Sequence, residues 1–201
     1  GLLIDLSVTM VVSLALLSRV LFTGAFHEDG LGDFFDGFGA GRTKERILAI
    51  MKDSHTGTYG ILSFIFYFMI GVYSLSSLPP ILTLVALGVG DPLCKLVASQ
   101  LINTLPYARP EDECKVQAIY SPMGVLTFWV SFSAGALPLA LFLPLPYWPA
   151  ALIPILAFLL LRGLMKRKIG GYTGDCCGAT FLLCELSFWV GMLIMNRIIE
   201  L

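Results

Sequence analysis

The chain has 201 residues, of which 57% are hydrophobic and only 13% charged, and its mean hydropathy is +0.83. Soluble domains average about 25% charged residues, so this composition excludes an ordinary soluble globule and predicts a polytopic membrane protein. The net charge of −1 gives no reason to expect a nucleic-acid partner, and the length allows about six spans of ~20 residues without a separate soluble domain.

Hydrophobic stretches predict an all-α fold, a polytopic integral-membrane helical bundle of about six transmembrane helices plus a short amphipathic interfacial helix. Residues 1–201 are interpreted as a single membrane domain. The predicted spans are 6–26, 61–78, 81–105, 121–143, 150–165 and 179–198, with Ser121 as N-cap and Pro122 in the first turn of the fourth.

The acidic stretch 26–60 follows the first span and is predicted to be a cytoplasmic active-site loop with the interfacial helix in it. Its carboxylates Asp29, Asp33 and Asp36 are spaced i, i+4, i+7, so on a helix they lie within an arc of roughly 60°. Oxygen-only clusters suit a hard cation such as Mg²⁺, which proteins usually share with substrate phosphates. The alternative is a solvated acidic loop joining two membrane helices.

Residues 43–53 within that stretch have the pattern of a short amphipathic helix lying along the membrane surface. The apolar side is formed by Ile47, Leu48, Ile50 and Met51, and the polar side by Lys44, Glu45 and Lys52.

The third span contains two charged residues, Asp91 and Lys95, at i, i+4 spacing, and Pro92 between them. Because proline removes a backbone donor, we expect a kink or break at this point. An ionisable residue deep in the membrane is a functional candidate, whereas a structural ion pair that fixes helix packing explains the same spacing.

The glycine-rich segment 166–178 is predicted to be a second polar loop, before the last span. Its glycines favour phosphate binding at a helix N-terminus, and Asp175 within it favours a shared metal. Glu185 lies about two turns into the apolar span that follows, where an unpaired carboxylate is costly. It is either a substrate-binding residue or a protonated, hydrogen-bonded core residue.

Basic residues predict the orientation of the chain, because they favour the cytoplasmic side of a membrane. They cluster in the first, third and fifth loops and are absent from the second and fourth. The acidic stretch, the loop with Arg109 and Lys115, and the glycine-rich loop are therefore expected to face the cytoplasm together. Acids for a metal, glycines for phosphate and nearby bases point to phosphoryl transfer at the membrane surface.

Three motifs, HEDGLGDFFDG, IMKDSHTGTYG and GGYTGDCCGA, closely resemble those of the cobalamin synthase family, in the family's order and over nearly the whole chain. The resemblance implies a multi-pass, Mg²⁺-dependent transferase of coenzyme B12 assembly in the cell inner membrane, with the lipid bilayer as its surroundings. Such an enzyme joins adenosylcobinamide-GDP to α-ribazole or its 5′-phosphate and releases GMP. Family members usually start further upstream, so we expect a missing N-terminal segment, and a homo-oligomer is left open.

The motif positions and the charges near them suggest roles for individual residues. The expected Mg²⁺ ligands are Asp29, Asp33, Asp36, Asp53 and Asp175. The expected catalytic residues are His27, Asp33 and Lys52, and the expected substrate-binding residues are Arg42, Lys44, Arg109, Thr173, Gly174 and Glu185. The sequence departs from the family pattern at Gly32, where Ala is common.

Two other classes of protein share parts of this pattern. A CDP-alcohol phosphotransferase also uses spaced aspartates on a membrane helix, but the Ala-Arg pair expected after Asp36-Gly37 is missing. A cation transporter would use Asp91, Lys95 and Glu185 near the bilayer midplane, but no internal repeat supports it.

Overall fold

The computed structural model describes residues 7–109 and 122–201, and almost all of the regular structure in these ranges is helical. The helices are α1 (Val8–Thr23), α2 (Phe26–Ala40), α3 (Lys44–Ile50), α4 (Thr58–Ser76), α5 (Pro80–Thr104), α6 (Val125–Phe142), a 3₁₀ segment (Leu145–Ala151), α7 (Leu152–Lys168) and α8 (Gly174–Ile199). The predicted Lys115 and Ser121 lie outside the described residues.

The predicted polytopic helical bundle is confirmed. Within the described ranges, five helical segments are long and apolar enough to cross a membrane, and a sixth is added if α1 and α2 count as one bent span. The centre of the bundle is α8, which packs against α2, α4, α5 and α7. The buried residues of α8 itself are mostly apolar or small and occur on all its sides, as is typical of a buried helix. By contrast, α6 packs mainly on α5 and leaves most of its surface exposed.

The acidic stretch begins with a helix where a loop was expected. The first helix ends at Thr23, and α2 leaves it at an angle of 90°. The corner between them is formed by Gly24 and Ala25, both in the left-handed region with φ of 61° and 58°. This conformation costs a non-glycine residue about 1–2 kcal/mol, so surrounding contacts must hold Ala25 in place. The helix forms because its apolar face is buried against α4 and α8.

The other boundaries differ from the predicted ones by a few residues. The short helix predicted at 43–53 is present as α3, capped by Thr43 and with Ile47 buried, but it ends at Ile50. The fourth span begins at Val125 with Gly124 as N-cap, so the predicted start at residues 121–122 is wrong. The last helix starts at Gly174, five residues before the predicted start at 179, because the hydroxyl of Thr173 caps it.

The third span is continuous through Pro92, so the predicted break is absent. Packing of α5 against α6 and α8 holds the helix together despite the lost backbone donor. The predicted pair is confirmed: Lys95 donates to the Asp91 carboxylate at 2.8 Å.

Candidate active site

An open pocket of about 620 Å³ lies where α2, the segment before α4, the start of the loop after α5 and the start of α8 meet. The structure therefore brings the first, third and fifth loops to one end of the bundle. The residues that line the pocket are Phe26, Asp29, Asp33, Met51, Lys52, Asp53, Ser54, Thr56, Tyr107, Arg109, Gly174 and Asp175.

Close contact between α2 and α8 places carboxylates from both helices in this pocket. A methyl group added to Gly30 would lie 3.0 Å from the backbone oxygen of Asp175, and one added to Gly178 would lie 3.1 Å from the backbone oxygen of His27. Small residues allow such close approach of two helix backbones. Asp33 interacts electrostatically with Asp29 on its own helix and with Asp175 across the crossing.

Arg109 reaches the same place through a short backbone pairing between two loops. The N–H of Ala108 donates to the Tyr172 carbonyl at 2.8 Å, and the N–H of Tyr172 donates to the Pro106 carbonyl at 3.0 Å. The Arg109 guanidinium then lies 3.5 Å from the Asp175 carboxylate. The glycine-rich turn is thus tied to the loop after α5, and a cation lies beside the acids of α2 and α8.

Asp36 lies on α2 with the other acids but points to a different neighbour. Its carboxylate accepts hydrogen bonds from the backbone N–H of Gly57 at 2.6 Å and of Gly60 at 2.9 Å. These donors are at the N-terminus of α4, whose N-cap, Gly57, has no capping side chain of its own. The side chain is buried and is not part of the pocket lining. Asp36 therefore has hydrogen-bond partners on α4 and lies outside the pocket lining, although its charge still acts on Asp33.

The segment between α3 and α4 carries Lys52 and Asp53 into the pocket lining. Asp53 accepts hydrogen bonds from the backbone N–H of His55 at 3.1 Å and pairs with its ring Nδ1 at 2.6 Å. This hydrogen bonding lowers the pKa of Asp53 and raises the pKa of His55 relative to their ordinary values. Both side chains are exposed, so the pair is accessible to solvent.

Besides Asp36, five predicted site residues are not in the pocket lining. The ring of His27 packs edge-on against Phe181, with 4.9 Å between centroids. Arg42 and Lys44 are exposed near the start of α3, and Thr173 is buried with its hydroxyl 3.2 Å from the Asp175 carboxylate. Glu185 is in the bundle interior, where it accepts hydrogen bonds from Arg19 and Tyr67.

The charge balance of the pocket favours a bound cation. Four carboxylates, those of Asp29, Asp33, Asp53 and Asp175, share the lining with two cations, Lys52 and Arg109. In the described ranges, no three Asp, Glu, His or Cys side chains form a ready-made metal centre. Carboxylate oxygens nevertheless fit Mg²⁺, which takes few protein ligands and completes its shell with water and substrate phosphates.

Sequence reasoning missed several residues that the structure places at or behind this pocket. Phe26, Met51 and Tyr107 line it, yet apolar and aromatic residues are too common in this chain to stand out. Ser54 and Thr56 also line it, and both fall within the motif IMKDSHTGTYG, which was the available signal. Arg19 bears the lone charge of its helix, and that isolation within an apolar segment could have marked it.

The chain is similar to one family model and to several named relatives. A family model described as cobalamin-5-phosphate synthase matches residues 1–193. A Shewanella sp. (strain W3-18-1) protein named adenosylcobinamide-GDP ribazoletransferase is 37% identical over 195 residues, covering 94% of this chain and 73% of the relative. Proteins of the same name from Shewanella oneidensis and Shewanella baltica (strain OS185) are each 35% identical, with the same coverage. No solved structure matches the chain.

Proposed function

The chain belongs to the cobalamin-5-phosphate synthase family, and we propose that it joins adenosylcobinamide-GDP to α-ribazole or its 5′-phosphate, releasing GMP. Family membership makes the chain a transferase of cobalamin biosynthesis. The extent of the match, residues 1–193, favours this function over a CDP-alcohol phosphotransferase or a cation transporter.

The observation that carries the proposal is the pocket in which carboxylates of α2 and α8 share a lining with Lys52 and Arg109. A pyrophosphate is recognised by cations, and phosphoryl transfer depends mainly on positioning and on neutralising charge. Lys52 and Arg109 come from two different loops, and both line the pocket. An open pocket of about 620 Å³ admits part of a large substrate while the remainder stays outside.

We assign Mg²⁺ binding to Asp29, Asp33 and Asp175, because these residues line the pocket on both helices of the crossing and interact electrostatically. Bound Mg²⁺ supplies neutralisation of the pyrophosphate charge. Thr173 keeps the Asp175 carboxylate in place through its hydroxyl, 3.2 Å away. Asp36 serves instead as a cap for α4, which fixes the segment that carries Lys52.

In the proposed reaction, a hydroxyl oxygen of α-ribazole attacks the phosphorus that is bonded to cobinamide. A new phosphorus–oxygen bond forms as the bond to the GMP oxygen breaks, and the hydroxyl proton leaves to water in the open pocket. Lys52 and Arg109 neutralise charge on the phosphate oxygens during transfer. The basic residues near the pocket support a location of this end of the bundle at the cytoplasmic face of the inner membrane.

The direct test is GMP release by the purified protein in lipid vesicles, followed by chromatography. We expect release only when adenosylcobinamide-GDP, α-ribazole or its phosphate, and Mg²⁺ are all present. A CDP-alcohol donor with an alcohol acceptor serves as the matched control and is expected to yield no CMP. Absence of GMP with the full mixture, or CMP release from the control donor, would contradict the proposal.

A further inference from the structure

A charged cluster in the bundle interior joins four helices through one side chain, Arg19 of α1. One guanidinium nitrogen donates to Glu185 of α8, and another donates to Tyr67 of α4 at 2.8 Å and lies 3.4 Å from Glu28 of α2. The Tyr67 hydroxyl also donates to Glu185 at 2.9 Å. None of these four residues lines the pocket.

The position of Arg19 along the chain relates this cluster to the corner between α1 and α2. Arg19 precedes the Gly24–Ala25 corner and Glu28 follows it, so their ion pair spans the 90° bend. The bond to Glu185 extends the tie to α8, the helix that also carries Asp175. The corner itself is in a backbone conformation that an alanine adopts at a cost, so it needs contacts of this kind to persist.

The side chains of the cluster are largely shielded from water. The side chains are 16% exposed for Arg19, 6% for Glu28 and 2% for Glu185, so water competes little for their hydrogen bonds. Hydrogen bonds between charged groups are stronger and more directional than neutral ones. A planar guanidinium offers separate nitrogens to separate partners, which a lysine ammonium does not do with the same geometry.

We propose that Arg19 is a positioning residue that locks the corner between α1 and α2 and thereby holds Asp29 and Asp33 opposite Asp175. The locked corner concerns the fold alone, whereas the placing of Asp29 and Asp33 for catalysis rests on the proposed function. Arg19 acts through Glu28 and Glu185, at a distance from the reacting atoms.

A distance measurement across the corner tests whether Arg19 locks it. In a parent with its five cysteines replaced, nitroxide labels are attached at Leu14 of α1 and Ala40 of α2, both exposed. With ~1.5 Å of rise per residue, a right-angled corner puts these positions about 25 Å apart, and a straightened one about 35 Å. Pulsed electron–electron double resonance distinguishes these two distances.

The informative variant combines Arg19→Met with Glu28→Gln and Glu185→Gln, because removing the arginine alone strands two buried carboxylates and endangers folding. Arg19→Lys is the second variant, which keeps the charge but lacks the fork of nitrogens. Arg197→Met is the matched control, since Arg197 is exposed and, among the described residues, forms an ion pair only with Glu200, three residues later in the sequence.

We expect this triple variant to retain a cooperative thermal transition, to broaden the distance distribution toward longer values and to lower turnover at least tenfold. Arg19→Lys is expected to show the same changes to a smaller extent, and Arg197→Met neither change. A narrow distribution near the parent's value in both Arg19 variants would overturn the proposal, as would a broadened one with parent turnover. If the parent itself released no GMP, the proposed function would fail, while the distances would still decide whether Arg19 locks the corner.

Discussion

A methyl group added to Gly30 would lie 3.0 Å from the backbone oxygen of Asp175, so α2 and α8 touch at the edge of the pocket. This contact decides where the carboxylates are. Asp29 and Asp33 flank the contact on one helix, and Asp175 is at the contact on the other. The site is therefore a property of the helix crossing more than of either motif alone.

Gly30→Ala is expected to push the two backbones apart. Overpacking of this kind costs typically about 1–3 kcal/mol, so the thermal transition should fall and turnover with it. Gly163→Ala in α7 is the matched control, because a methyl group there meets nothing within 4 Å. Replacing a helical glycine in open space should raise stability by roughly 0.5–1 kcal/mol. Equal thermal shifts for the two variants would contradict the close contact.

The acidic stretch shows how far sequence reasoning reached. The i, i+4, i+7 spacing placed Asp29, Asp33 and Asp36 on one helical face, and they do share α2. The spacing could not reveal that the backbone N–H groups of Gly57 and Gly60 take the Asp36 carboxylate. Those donors are 21 and 24 residues away, and only the packing of α2 on α4 brings them within reach.

Long-range pairings limited prediction elsewhere for the same reason. Hydropathy identified the five long apolar helices, because each is a mostly apolar run of at least 18 residues, whereas α1 is long enough only together with α2 across a 90° bend. The partner of Glu185 is Arg19, 166 residues earlier, and no periodicity links two such positions. The pairing of the strand-like segments at Tyr107 and Tyr172 likewise has no signature in either segment alone.

Asp36→Asn separates a capping role from metal binding. The amide retains one acceptor oxygen but turns an NH₂ toward a backbone N–H, and leaving a buried donor unpaired costs about 1–3 kcal/mol. We expect a lower thermal transition and an unchanged Mg²⁺ dependence of whatever turnover remains. Glu45→Gln, an exposed carboxylate on α3, is the control. Unchanged stability together with a tenfold higher Mg²⁺ requirement would instead make Asp36 a metal ligand.

The exposed Asp53–His55 pair predicts a specific pH response. Hydrogen bonding to Asp53 favours the charged imidazole, so the pKa of His55 is higher than the ordinary value for histidine. Asp53→Asn removes that preference, and the pKa of His55 should fall. Carbon NMR of labelled histidine rings measures it, with His27→Gln identifying the second signal. A His55 pKa that is unchanged in Asp53→Asn would show that the pair does not form in solution.

The variant Asp33→Asn tests most directly whether the carboxylates at the crossing of α2 and α8 serve the transfer reaction. This variant keeps the side-chain shape and removes a carboxyl group that interacts electrostatically with Asp29 and Asp175. The measurement is the rate of GMP release against Mg²⁺ concentration, with Glu45→Gln as the exposed-carboxylate control. Loss of one electrostatic contact at a reacting centre should lower turnover ~10²–10³-fold at saturating substrate, while the control stays at the parent rate. If Asp33→Asn kept the parent's rate and Mg²⁺ dependence, as the control should, the crossing would not be the active site.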